Sequence, residues 1–490
     1  MPGSDIPSEH EVVLSLISHT NVGKTALART LLRRDVGEVA DSAHVTILPE
    51  SYPLIESGGR SARLWDTPGF GSNLAKIAKR LRSSDNPVGW ILHQVWDRVT
   101  DKSLWCSQEA IRNVQSEADV VLYLVDASQT PDETGYIDLE IEVIEWIGKP
   151  VLVFLNQTGE SDPERDWRNE TLWREHLAKH EVVKQVTTLD AFTRCWIQEH
   201  RIFSQAATVL SGGKRETARL LGEAWASRQL DVFNDSIAMM ADLACKALSD
   251  TETLPSASLF DQWKRFVRRG DRERTFERAQ QAMSARLSNR TKETVNQLIA
   301  RHGLSGETAA RLSEVSREAF LVKSKVEESL MAAIGGVGSG LLGGLVADLA
   351  SGGMTFGGGA LSGMVLGGLI SYGLASGYNL TQTGTNQVRW TEAHFLDQVK
   401  SILLLYLGVA HFGRGRGVWH DAANNPAHWQ KLVEEKVTKD AKTWRSLWKS
   451  GAKIDDAAEL KKSLRKAFHR ALIEILGELY PEGRDLLRAR

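Results

Sequence analysis

The sequence predicts a mostly parallel sheet with helices on both faces, followed by an all-α region containing a glycine-zipper helical hairpin. Three observations carry this prediction. Short apolar runs alternate with helical stretches over the first two hundred residues. Two of those runs, Val120–Val125 and Val151–Leu155, are apolar almost throughout, as strands covered on both faces are. Beyond about residue 230 the strand signal gives way to amphipathic helical stripes and one glycine-rich apolar segment. At 490 residues the chain exceeds what one core organises. The expected division is an α/β domain over 1–205, a helical domain over 206–328, the hairpin over 329–380 and a C-terminal helical region over 381–490.

Taken in order, strands are expected at Val12–Ile17, less distinctly around Thr46–Leu54, then at Ala62–Trp65, Val120–Val125, Val151–Leu155 and Val183–Leu189. The long connection from Gly69 to Asp119, rich in Trp and charge, calls for extra helices, and Ala191 to about Leu230 reads as the closing helix. Leu259, Phe260, Trp263 and Phe266 form one helical stripe, and Leu464, Phe468, Leu472, Ile475 and Leu479 another. Leu254-Pro255 and Asn424–Pro426 are breaks between elements.

Between Leu330 and Tyr378 the single charge is Asp348, and small residues recur every fourth position: Ala332, Gly336, Gly340, Gly344, then Gly359, Gly363, Gly367, Ser371 and Ala375. Six glycines lie between Leu330 and Leu349, each costing about 1 kcal/mol against alanine in a helix. Close backbone packing along the small-residue ridges is the source that offsets this. Each limb has about the length that spans a hydrocarbon core. Two placements stay open: contact with a bilayer through residues 330–378, or burial within the helical region.

The formal net charge of -2 gives no global field for nucleic acid, which is not expected as a partner. Cys106, Cys195 and Cys245 match no metal or disulfide spacing, as in a reducing cytosol. The acidic start MPGSDIPSEHE does not read as a secretory leader. The expected location is cytoplasmic, extending to the inner face of the membrane if the hairpin enters lipid.

The chemistry is concentrated at two motifs. Val12–Ile17 runs into Ser18-His19-Thr20-Asn21-Val22-Gly23-Lys24-Thr25 and then the helical Ala26–Arg34. Strand, loop and helix in that order make a phosphate-binding loop, with Ser18 where the first glycine usually stands. The amides from Ser18 through Ala26 and the helix start surround phosphates, Lys24 neutralises them, and the Thr25 hydroxyl is a Mg²⁺ ligand. Leu64-Trp65-Asp66-Thr67-Pro68-Gly69 follows a strand, so Asp66 is placed to hold the same Mg²⁺ and the Gly69 amide to sense the terminal phosphate.

Together these motifs resemble the GTPase class that includes Era and TrmE, over roughly residues 11–195; the resemblance makes the α/β domain a P-loop GTPase (G) domain. It implies GTP/GDP and Mg²⁺ as ligands and a threonine that completes the metal shell from switch I, for which Thr46 is the candidate. It also implies a base-reading motif after the fifth strand. There Asn156 matches, Gln157 replaces a lysine, Gly159 replaces the guanine-reading aspartate, and Glu160 or Asp162 are substitutes; Ala191 lies in the neighbouring base loop. More narrowly, the loop resembles that of an uncharacterised bacterial GTPase family with a glycine-rich helical C-terminal domain. Small GTPases orient water with a glutamine after Asp-x-x-Gly, where this chain has Phe70. Part of the Era/TrmE class uses instead an asparagine three positions before the lysine to bind K⁺ between paired G domains. Asn21 stands there, so the resemblance implies a homodimer through the G domains and slow hydrolysis without K⁺.

The expected activity is a GTP-hydrolysing switch that rearranges the helical region near a membrane. A membrane-inserting or scaffold protein with a weakly hydrolytic nucleotide domain, and a ribosome or RNA assembly GTPase, are the alternatives.

Overall fold

In the computed structural model, residues 8–36, 48–71, 74, 81–93, 102–158, 163–191, 195–253, 269–304, 378–380, 387–412, 427–451 and 457–488 are described. The chain divides into two compact units, Met1–Asp231 with Ala410–Gly417, and Val232–Val409 with Val418–Arg490.

The first unit is built on a six-stranded sheet of β1 (Glu11–Ser18), β2 (Glu50–Ser57), β3 (Arg60–Asp66), β4 (Val120–Asp126), β5 (Val151–Asn156) and β6 (Val183–Thr188). Its spatial order is β2-β3-β1-β4-β5-β6. Only β2 runs antiparallel to its neighbour; the other pairs are parallel. Alternation along β4 shows why its sequence is apolar from Val120 through Val125. Val121, Tyr123 and Val125 pack on one face, with Ile111 and Val114 of α3 (Lys102–Ser116) and Ile141 and Ile144 of α4 (Gly135–Ile147). Leu122 and Leu124 pack on the other, with Leu27 and Leu31 of α1 (Lys24–Leu32) and Ile202 of α6 (Trp196–Val209). Both faces are therefore dry, and strand polarity survives only at the ends, where the loops begin.

The connection after β3 does contain helices, α2 (Pro87–His93) and α3. α4 stops at Gly148, whose φ of 78° lets its N–H return to the Ile144 and Glu145 carbonyls. α5 (Pro163–Leu177) leads into β6. The closing helix is two: α6, then α7 (Gly212–Leu248), the latter running well past residue 230.

The second unit is largely helical. α12 (Ala457–Leu479) buries Leu464, Phe468, Leu472, Ile475 and Leu479 along one face, the stripe read from the sequence. Trp444 of α11 (Ala441–Gly451) meets Phe468 edge-on at 5.1 Å, and α10 (Ala427–Lys439) buries Trp429, Val433 and Val437. A short α13 (Arg484–Arg488) follows α12, and α8 (Arg269–Arg301) precedes the glycine-rich stretch.

The expectation of an all-α region is corrected here. β7 (Thr251–Thr253), β8 (Tyr378–Leu380) and β9 (Gln387–Trp390) form an antiparallel sheet in the order β7-β9-β8. Strands of three or four residues are too short to show a period, so their pairing partners decide them. α9 (Glu392–Ala410) is long and apolar enough to cross a membrane by length and composition, but 61% of that window is buried, as in a core helix. The glycine-zipper hairpin lies outside the described residues, apart from the short strand β8 within its expected 329–380 bounds, and so does the stripe of Leu259, Phe260, Trp263 and Phe266.

Candidate functional site

β1 delivers the phosphate-binding loop at its carboxyl end, flanked by β3 and β4, the position where ligands of open α/β sheets bind. The loop turns through two left-handed residues, Asn21 at φ 66° and Gly23 at φ 96°. Gly23 caps α1 in a conformation that costs glycine nothing, and Leu27 N–H takes its carbonyl to start the helix. α1 begins at the end of this loop, and a helix start of this kind is the arrangement that receives phosphate oxygens.

Lys24 is buried, and its ammonium donates to the Ser18 hydroxyl at 3.0 Å and the His19 carbonyl at 3.3 Å. Burial holds its pKa below the ordinary lysine value, against the pull of the Asp66 and Glu140 carboxylates. Both of its partners are neutral oxygens. Serine in place of the first glycine therefore has a use: its hydroxyl accepts from Lys24 and donates to the His19 carbonyl at 2.6 Å.

The Thr25 hydroxyl donates to Asp66 Oδ2 at 2.6 Å, while Asp66 Oδ1, also buried, has no hydrogen-bond partner among the described residues. Burial raises the Asp66 pKa to about 6, opposed by the Thr25 hydrogen bond and by Lys24. A hydroxyl and a carboxylate with an unused buried oxygen are hard donors that fit Mg²⁺, which takes few protein ligands and completes its shell with water and phosphate. Among the described residues no cluster of three or more His, Cys, Asp or Glu could hold a metal by itself.

The segment after Asp66 is stitched to the phosphate loop. The Thr67 hydroxyl donates to the Leu16 carbonyl at 2.6 Å, Phe70 N–H to Ser18 O at 2.8 Å, and Thr20 N–H to Phe70 O at 3.2 Å. Gly69 is pressed so close that a Cβ there would sit 2.9 Å from both Lys24 Nζ and Thr20 Cα. The Phe70 side chain is fully buried in the core, so it faces away from any attacking water.

On the other flank, Asn156 Nδ2 donates to the Val22 carbonyl at 2.6 Å and its Oδ1 accepts from Ala191 N–H at 2.7 Å. One buried side chain thus ties the loops after β5 and β6 to the phosphate loop. Gln157, at φ 59°, donates to the Asn21 carbonyl at 3.3 Å, and Asp190 accepts from Thr158 N–H at 2.8 Å. The structure therefore brings together Ser18, Asn21, Val22, Gly23, Lys24, Thr25, Ala26, Asp66, Gly69, Asn156, Gln157 and Ala191. Thr46, Gly159, Glu160 and Asp162 lie outside the described residues. Sequence reading missed the contact of His19 with Glu140, which lies 121 residues away and belongs to no motif.

A family model described as 50S ribosome-binding GTPase matches residues 13–157, and one described as a domain of unknown function, DUF3482, matches residues 174–474. No curated protein matches the chain. Similar solved structures include an Era variant from Aquifex aeolicus bound to GDP.AlF4-, with 18% identity, 41% of this chain and 58% of that one covered, and a TM-score of 0.31. Era in complex with MgGDPNP and part of 16S ribosomal RNA gives 19% identity, 41% and 58% coverage, and a TM-score of 0.30. NFeoB from S. thermophilus bound to mGMPPNP gives 15% identity, 48% and 71% coverage, and a TM-score of 0.25. The chain thus spans 58% of the length of each of the two Era chains. The N-terminal part of the chain thus matches a P-loop GTPase family model, and the domain of unknown function follows it.

Proposed function

We propose, for a chain that belongs to the DUF3482 family and carries a P-loop GTPase domain ahead of that region, a Mg²⁺-dependent GTP switch. The observation that carries this reading is the pairing of Thr25 with Asp66 beside the buried Lys24, one Asp66 oxygen being left for a metal. In this reading the amides from Val22 to Ala26 and the Lys24 ammonium bind the phosphates, and Thr25, Asp66 and Thr46 hold Mg²⁺, which neutralises charge on the transferred phosphoryl group. The Gly69 amide reports the terminal phosphate, and its loop is released when that phosphate leaves.

Phe70 contributes nothing to orienting water, because its ring is in the core. The transition-state charge then calls for another source, and the proposed one is K⁺ at Asn21 in a pair of G domains. The output is a rearrangement of the helical region, with residues 330–378 as its contact with the cytoplasmic face of a membrane. Their single charge and recurrent small residues support this.

Three measurements test the reading. Phosphate release from GTP with Mg²⁺ is expected from the wild type and not from Lys24→Ala; equal, background-level rates would remove the enzymatic role. Titration with GTP, GDP and ATP is expected to favour the guanine nucleotides, and equal affinity for ATP would overturn the base assignment. Flotation with anionic vesicles tests the membrane contact, which fails if deletion of 330–378 leaves flotation unchanged.

A further inference from the structure

Glu140 sits in the middle of α4 on its buried face, between Ile137, Ile141 and Ile144, and is 2% exposed. A carboxylate in that apolar setting costs several kcal/mol unless its oxygens are satisfied, and an apolar side chain of similar volume would commonly hold the fold as well or better. Its two oxygens are both taken: Oε1 lies 2.6 Å from His19 Nδ1, and Oε2 accepts the Tyr123 hydroxyl at 2.6 Å. The His19 ring also lies against Tyr136, with centroids 4.3 Å apart.

His19 is the second residue of the phosphate loop, and its peptide is a junction. Its carbonyl accepts from both Lys24 and Ser18, and its two neighbours, Ser18 and Thr20, exchange hydrogen bonds with the backbone of Phe70. The lysine that meets the phosphates and the segment carrying Gly69 thus converge on one peptide, and the only part of that residue reaching into the core is the ring held by Glu140.

We infer that Glu140, acting through His19, is a positioning residue for GTP hydrolysis: from α4 it fixes the peptide on which Lys24 rests and to which the Gly69–Phe70 segment is bridged. This rests on the GTPase reading above. Of the two side chains that Glu140 hydrogen-bonds, only His19 belongs to the phosphate loop, so its positioning effect passes through that ring. Loosening the peptide displaces groups needed at the terminal phosphate more than those that grip a diphosphate, so the loss falls on kcat and not on affinity.

The test is single-turnover GTP hydrolysis, with fluorescent GDP titration and thermal melting, for wild type, His19→Ala, Glu140→Gln, the double variant, and Glu140→Met combined with Tyr123→Phe. Each single variant is expected to hydrolyse about tenfold more slowly, with GDP affinity within about threefold of wild type. The double variant is expected to lose about tenfold as well, not a hundredfold, because both residues act at one point. The Met/Phe combination fills the space with apolar atoms and is expected to melt no lower than wild type while hydrolysing as slowly as His19→Ala. A role confined to stability would instead leave its rate untouched. Losses that multiply in the double variant, or an unimpaired Glu140→Gln, would overturn the inference while the wild type remained active. Wild-type turnover no faster than that of Lys24→Ala would instead sink the GTPase reading, and this inference with it.

Discussion

Replacing Gly69 with alanine separates the switch segment from the phosphate grip. The φ at Gly69 lies outside the left-handed region, so the backbone tolerates a side chain; the space does not. The added Cβ would stand 2.9 Å from Thr20 Cα, where ordinary contact is 3.4–4 Å, so the two backbones must part by about 0.5 to 1 Å. Lys24 Nζ, also 2.9 Å away, can swing aside, but Thr20 is backbone and cannot. The bridge from Phe70 to Ser18 and Thr20 is the part that opens. Misplacement of about 1 Å costs on the order of 100-fold in rate, whereas overpacking at a loop that can retreat costs about 1 kcal/mol of stability, the low end of its range. Gly69→Ala is therefore expected to lower single-turnover hydrolysis about 100-fold with a melting temperature close to wild type and GDP affinity little changed. Hydrolysis within threefold of wild type would refute the close approach as a functional constraint.

Asn156→Ala removes two buried hydrogen bonds and leaves the Val22 carbonyl and the Ala191 N–H unpaired; a loss of about 2–4 kcal/mol in chemical denaturation is expected, with weaker nucleotide binding. Phe468→Ala, at a fully buried position under Trp444, should cost about 3–5 kcal/mol in the same assay. His394 lies buried against Trp390, and burial lowers its pKa to about 4. The unfolded chain takes up that proton at the ordinary histidine value of about 6.5, so the stability is complete above that pH and is lost as pH falls toward 4. The difference is roughly 3 kcal/mol, and His394→Phe should flatten denaturation midpoints across that window. Hydrolysis in K⁺ should exceed that in Na⁺ at equal ionic strength, and Asn21→Ala should abolish the difference; equal wild-type rates in the two salts would exclude the cation role at Asn21.

How much was legible in the sequence differed by element. Strands β1, β4 and β5 were plain because both faces are dry and apolar residues fill most of their positions. β2 was indistinct: it is an edge strand with Pro53 inside it and a mostly polar, exposed surface, so no period marks it. The small sheet of the second unit was invisible, since β7 and β9 pair through Thr253 and Gln387, which lie far apart in the chain.

By itself the sequence determined the phosphate loop, Asp66 at the end of a strand, the helical stripe of α12 and the order of the parallel strands' apolar runs. All of these are local patterns, in which a residue's role follows from neighbours within one turn or one strand. Only the tertiary structure decided that Asn156 clamps Val22 to Ala191, that Gly69 rests against Thr20, that Phe70 turns into the core, and that Glu140 reaches His19. Each of these joins residues tens to more than a hundred positions apart. Their meeting is set by how strands stack into one sheet and helices cover it, and no spacing along the chain encodes that distance.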